Sequence, residues 1–91
     1  MKEIYVEVIS TPVTDILETK SGQFLGKHSW YYAMWEGQKI IVSGDDAFSE
    51  TLPSVGSKGL LSGNFCEQRF YDDHGKKIDM PYFFVEYYFE R

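Results

Sequence analysis

Apolar and polar positions alternate from the first residues of the chain. Ile4, Val6 and Val8 fall on one side of an extended segment from Met1 to Ser10, with Tyr5, Glu7 and Ile9 on the other, and a period of two predicts a strand. Thr11-Pro12 interrupts it. Proline has no N–H to give to a ladder, so a bend or bulge is expected there, with the strand resuming from Val13 to Glu18. The stretch from Thr19 to Lys27 carries Gly22 and Gly26 and reads as the loop closing a hairpin. A second strand is predicted over His28 to Trp35, with aromatic residues on both faces, and Glu36-Gly37-Gln38 reads as a tight turn into a short third strand, Lys39 to Ser43. From Gly44 to Ser57 the periodicity fails, leaving a connection with one helical turn near Asp46 to Glu50.

The last third organises the rest. Leu60 to Tyr71 and Met80 to Phe89 are rich in β-prone residues, and Asp72-Asp73-His74-Gly75-Lys76-Lys77 lies between them as a turn. Strands average about 5–6 residues, so a hairpin spanning Gly59 to Glu90 is expected to be both a beam and a projection. Three meandering strands, an irregular connection and a closing hairpin predict an all-β chain: a five-stranded OB-fold-like Greek-key barrel with a long strand 4–strand 5 hairpin. An SH3-like barrel and an antiparallel sandwich are the competing architectures. The 91 residues make one domain, 1–91.

Composition changes this picture in two places. Aromatic residues reach 18%, more than the interior of so small a barrel can hold. The outward set either packs on a partner subunit or loop, or stacks on unpaired bases, where each contact contributes about 1–3 kcal/mol. The net charge of −5 argues against binding a polyanion by bulk electrostatics. Yet of nine basic residues, five flank or occupy the two hairpin loops: Lys20, Lys27, Arg69, Lys76 and Lys77. Those loops border the ligand-binding face of an OB barrel.

Catalytic chemistry finds little support. No serine or cysteine sits in a nucleophile elbow, and Gly22, Gly26, Gly59 and Gly63 do not form a phosphate cradle opening a helix. Asp72, Asp73 and His74 have the chemistry of a divalent-cation site, but short acidic turns are ordinarily solvated turn formers, so no metal and no cofactor are expected. Cys66 is the single cysteine, which excludes an intramolecular disulfide; mid-strand, it reads as a small core hydrophobe. With no apolar leader and no membrane-length segment, a cytoplasmic protein without membrane association is predicted.

Ile4-Tyr5-Val6-Glu7-Val8-Ile9-Ser10, then Thr19-Lys20-Ser21-Gly22, then Gly26-Lys27 before an aromatic-rich strand, resembles the start of the filamentous-phage helix-destabilising (gene V type) single-stranded-DNA-binding proteins. Gly59 to Tyr71 with the following turn is similar to the closing hairpin of bacterial single-stranded-DNA-binding proteins, where a Tyr-Asp-Asp-like stretch precedes Gly-Lys. The resemblance implies an OB-fold that coats unpaired DNA without catalysis, in phage or plasmid DNA replication. It places Lys20 at a phosphate, Trp30 and Tyr32 among the DNA contacts of the second strand, and Arg69, Phe70 and Tyr71 near the projecting hairpin. Lys27-His28-Ser29 departs from the Lys-Pro-Tyr frequent in the phage family.

Together these readings predict a homodimer binding single-stranded DNA, with RNA left open. Trp30, Tyr32 and Phe70 or Tyr71 would stack on bases, while Lys20, Lys27, Arg69, Lys76 and Lys77 would meet phosphates. The alternative is an acidic small-barrel interaction module, or a nucleic-acid mimic that inhibits a DNA-binding partner.

Overall fold

Ile4, Val6 and Val8 are buried while Tyr5 and Glu3 are exposed, so the alternation read from the first segment does place one face of a strand in the core. The computed structural model describes residues 1–44, 46–66, 70–71, 74–78 and 80–89. Strand β1 (Lys2–Val8) is followed by β2 (Val13–Glu18), β3 (Phe24–Trp35), β4 (Gln38–Gly44), the one-turn helix α1 (Asp46–Ser49), β5 (Lys58–Cys66), β6 (Phe70–Tyr71), β7 (Lys77–Ile78) and β8 (Tyr82–Phe89).

The strands close a barrel. β1 pairs antiparallel with β5 and, through Glu7 and Val8, with β3; β3 pairs antiparallel with β4, β4 runs parallel to β8, and β8 returns antiparallel to β5. The circuit β1-β3-β4-β8-β5 is a closed five-stranded barrel with the Greek-key order of an OB-fold, and β2 is the extra strand at the sheet edge. β1 and β2 both pair with β3 on either side of Thr11-Pro12, which is the bent first strand the proline predicts.

Two of the differences from the sequence reading bear on the site. β3 starts at Phe24 rather than His28, because residues 24–28 pair with β2 beyond the end of β4, forming a two-stranded ribbon that leaves the barrel. The connection shrinks to a turn at Thr19–Gln23, held by Thr19 N donating to the Gln23 carbonyl at 2.9 Å and Gln23 N donating to Thr19 Oγ1 at 3.0 Å. The closing hairpin is also two ladders rather than one: β5 with β8 at the base, and a separate β6–β7 pair, Phe70↔Ile78 and Tyr71↔Lys77.

The β5–β8 ladder shifts register between Ser62 and Gly63. Gly63 lies against the carbonyl oxygen of Phe84 with no room for a Cβ, so the irregularity requires glycine through close approach rather than through φ. The β3–β4 turn has the opposite requirement. Glu36 (φ 50°) and Gly37 (φ 75°) both take positive φ, as a two-residue type I′ hairpin demands, and this fixes Trp35 opposite Gln38.

Inside the barrel Tyr31, Ala33, Ile40, Val42, Leu61, Phe83 and Val85 join the β1 residues in one core. Each end is closed by aromatic rings. Phe48 of α1 stacks on Tyr31 at 5.8 Å; Trp35, Phe65 and Phe83 form a chain with successive centroids 5.0 Å apart. The Lys2 ammonium lies 5.1 Å from the Trp35 ring and 5.3 Å from the Phe65 ring. Among the described residues no helix is long and apolar enough to cross a membrane.

Candidate nucleic-acid interface

Because Ser29, Tyr31 and Ala33 point into the barrel and are fully buried, alternation turns His28, Trp30, Tyr32 and Met34 outward. The register set by the Glu36-Gly37 turn then decides their neighbours. Trp30 lies opposite Ser43, Tyr32 opposite Ile41 and Met34 opposite Lys39, while the parallel pairing with β8 adds Tyr82 beside Ile41 and Phe84 beside Ser43. One outer face thus runs across β3, β4 and β8.

Trp30 and Tyr32 meet edge to face, their centroids 5.4 Å apart at 80°, and the Lys39 ammonium lies 4.3 Å from the centre of the Tyr32 ring. Both rings are half-buried and Lys39 is exposed. The middle of the face is closed: Ile41, Ser43 and Tyr82 have outward registers yet are 4%, 0% and 3% exposed. The accessible part therefore follows β3 and ends at Lys39.

A polar row runs beneath it. Ser43 Oγ lies 2.8 Å from His28 Nε2 and also hydrogen-bonds Tyr82. Burial pushes the Tyr82 phenol above its ordinary pKa, the Ser43 hydrogen bond works against that rise, and the neighbouring Cys66 adds to it. A serine–histidine pair suggests nucleophilic chemistry, but the Ser43 hydroxyl is not presented to a substrate, since the residue is fully buried. Two carboxylates border the face: Asp15, opposite His28, and Glu86, which accepts a hydrogen bond from Asn64 Nδ2 at 3.2 Å. What this arrangement offers is planar apolar surface with one cation beside it.

The predicted site residues separate into groups. Trp30 and Tyr32 come together as neighbours on the outer face. Lys20 is exposed in the Thr19–Gln23 turn at the tip of the β2–β3 ribbon. Lys27 is exposed too, but it alternates with His28 and Trp30 and so sits on the opposite face of that ribbon. Lys76 is exposed just before β7; Phe70 and Tyr71 form β6, and Lys77 opens β7. Arg69 lies outside the described residues, as do Asp72 and Asp73 of the acidic turn, and among the described residues no group of three metal-ligating side chains comes together.

Cys66 is placed differently from the expectation. It ends β5, half-buried and paired with outward Tyr82, rather than in the core. Sequence reasoning missed Lys39, His28 and Ser43 as members of the face. The signal was present in the turn: with two residues at its tip, Trp35 pairs with Gln38, and counting back brings Lys39, Ile41 and Ser43 beside Met34, Tyr32 and Trp30. Against known protein families, curated proteins and solved structures, the chain gives no significant match.

Proposed function

We propose that this chain binds single-stranded DNA without catalysis, by stacking unpaired bases on Trp30 and Tyr32. The observation that carries the reading is the accessible edge-to-face pair on the outer surface of β3, because in OB barrels the face of the second and third strands takes oligonucleotides. These are β3 and β4 here. The loops bordering that face hold Lys20 at one hairpin and Lys76 and Lys77 at the other, so phosphate contacts at the rim would accompany stacking in the middle. RNA meets the same chemistry, and the resemblance to phage and bacterial DNA-coating proteins favours DNA. A homodimer would lengthen a footprint that is short for one 91-residue domain.

The test is fluorescence anisotropy of labelled oligo-dT at low salt. Trp30→Ala is expected to weaken binding by about 1–3 kcal/mol, roughly five- to 150-fold, with the unfolding midpoint nearly unchanged. Absence of binding by the unsubstituted protein would remove the reading.

One observation favours a second reading, a protein-interaction module. Of the exposed large apolar residues, Val13 (40%), Ile16 (61%), Phe24 (56%) and Leu25 (63%) lie on the β2–β3 ribbon, divided between its two faces, with Val13 beside Trp30 and Ile16 beside Lys27, and apolar exposure concentrated on one element marks binding of some kind. With a net charge of −5, a basic protein would be the partner. Under this reading neither single- nor double-stranded DNA shifts the protein, and Ile16→Asp abolishes co-purification of the partner.

A further inference from the structure

Two lysines rest on aromatic rings, and the rings differ. Lys2 covers Trp35 and Phe65, which plug the end of the core. Lys39 covers Tyr32, which faces outward. The first contact belongs to the closing of the barrel, and the second lies where a base would land.

Tyr32 is only partly accessible. Trp30 stands against it at 80°, and the Lys39 ammonium lies over its centre at 4.3 Å. A base stacking on the ring face that Lys39 covers must displace the ammonium. Trp30 is half-buried in the sheet, whereas Lys39 is an exposed charge on a flexible four-carbon stem. The lysine is therefore the group that yields.

Its destination follows from the charges nearby. Asp15 and Glu86 border the other end of the face: Asp15 is opposite His28 and Glu86 follows Val85, which pairs with Gly44, whereas Lys39 pairs with Met34 at the far end of β3. Glu36, in the adjoining turn, is the acid nearest in sequence. Once a nucleotide occupies the ring, its own phosphate brings a new negative charge alongside.

We propose that Lys39 is a phosphate contact held in reserve: its ammonium caps Tyr32 in the free protein and is displaced by a base onto the backbone of the same strand. This rests on the reading that unpaired nucleic acid stacks on this face. It makes the cation–π contact a gate on the stacking platform, so stacking and phosphate neutralisation occur together. A ligand with bases but no adjacent phosphate would displace the lysine without giving it a partner.

Two measurements test it. Oligo-dT affinity is followed against salt for the unsubstituted protein and for Lys39→Met, which keeps the stem and removes the charge. The slope of log affinity against log salt should become shallower by about 0.7, the contribution of one phosphate on a single strand. In the NMR spectrum of the free protein, the Lys39 ε-methylene protons should be shifted upfield by the Tyr32 ring and should lose that shift on titration with oligo-dT. If the unsubstituted protein binds while Lys39→Met keeps the same slope, or the upfield shift persists in the complex, the gate is wrong and the stacking reading stands. If the unsubstituted protein does not bind oligo-dT, both fail.

Discussion

Tyr31 and Tyr32 are adjacent and chemically identical, yet they belong to different parts of the molecule. Tyr31 is fully buried and stacks on Phe48, closing one end of the barrel. Tyr32 faces outward, half-buried, between Trp30 and the Lys39 ammonium. A strand turns successive side chains to opposite faces, so an aromatic run on β3 is divided between two tasks by parity alone. The inner set, Tyr31 with Phe48, Phe65, Phe83 and Trp35, completes the core. The outer rings lie outside that core, and aromatic surface at the usual OB ligand face is what the proposed binding would use.

This division can be broken by measuring stability on both sides of it. Phe83→Ala removes a fully buried ring packed against Phe65 and is expected to cost about 3–5 kcal/mol in urea unfolding. Tyr32→Ala should cost less than about 1 kcal/mol, since it leaves an accessible surface rather than a cavity. Comparable losses would mean that the outer rings serve the fold, and the stacking platform would lose its rationale. Gly63→Ala should come next, at about 1–3 kcal/mol of overpacking, because the obstructing atom is the Phe84 carbonyl oxygen, part of the backbone and unable to rotate aside. A neutral Gly63→Ala would show that β5 and β8 separate easily, and with them the wall that keeps inner and outer residues of β8 apart.

Parity and punctuation made most of the fold legible. The alternation of Ile4, Val6 and Val8, the break at Thr11-Pro12 and the turn at Glu36-Gly37 all sit where local chemistry dictates them. The start of β3 was not legible. Phe24 to Lys27 contains two glycine-flanked positions that read as loop, and only pairing with β2 makes them strand. Nor was the division of the closing hairpin, since no local signal separates the β5–β8 ladder from the β6–β7 pair. Within the site, Trp30 and Tyr32 were named through the resemblance, with no local signal saying which face of the strand they take, whereas Lys39 and Ser43 entered only through cross-strand register, a long-range property.

A subtler effect, read from pH dependence, falls on the residue that belongs to neither set. Tyr82 has an outward register but is 3% exposed, and burial raises its pKa above the ordinary value of 10.0. The folded protein therefore holds this proton to higher pH than the unfolded chain does. The resulting stability is complete below the ordinary pKa and is lost as pH rises through it toward the folded value. Tyr82→Phe should cost about 1 kcal/mol at neutral pH, through the hydrogen bond to Ser43, while Ser43 retains His28. Above about pH 10, near the ordinary tyrosine pKa, the variant should lose stability less steeply than the unsubstituted protein. Urea midpoints at neutral and alkaline pH measure the difference between the two slopes. Parallel slopes would mean that Tyr82 ionises as freely in the folded state as in the unfolded one. Its hydroxyl would then be open to solvent, and the closed middle of the face would stop at β4.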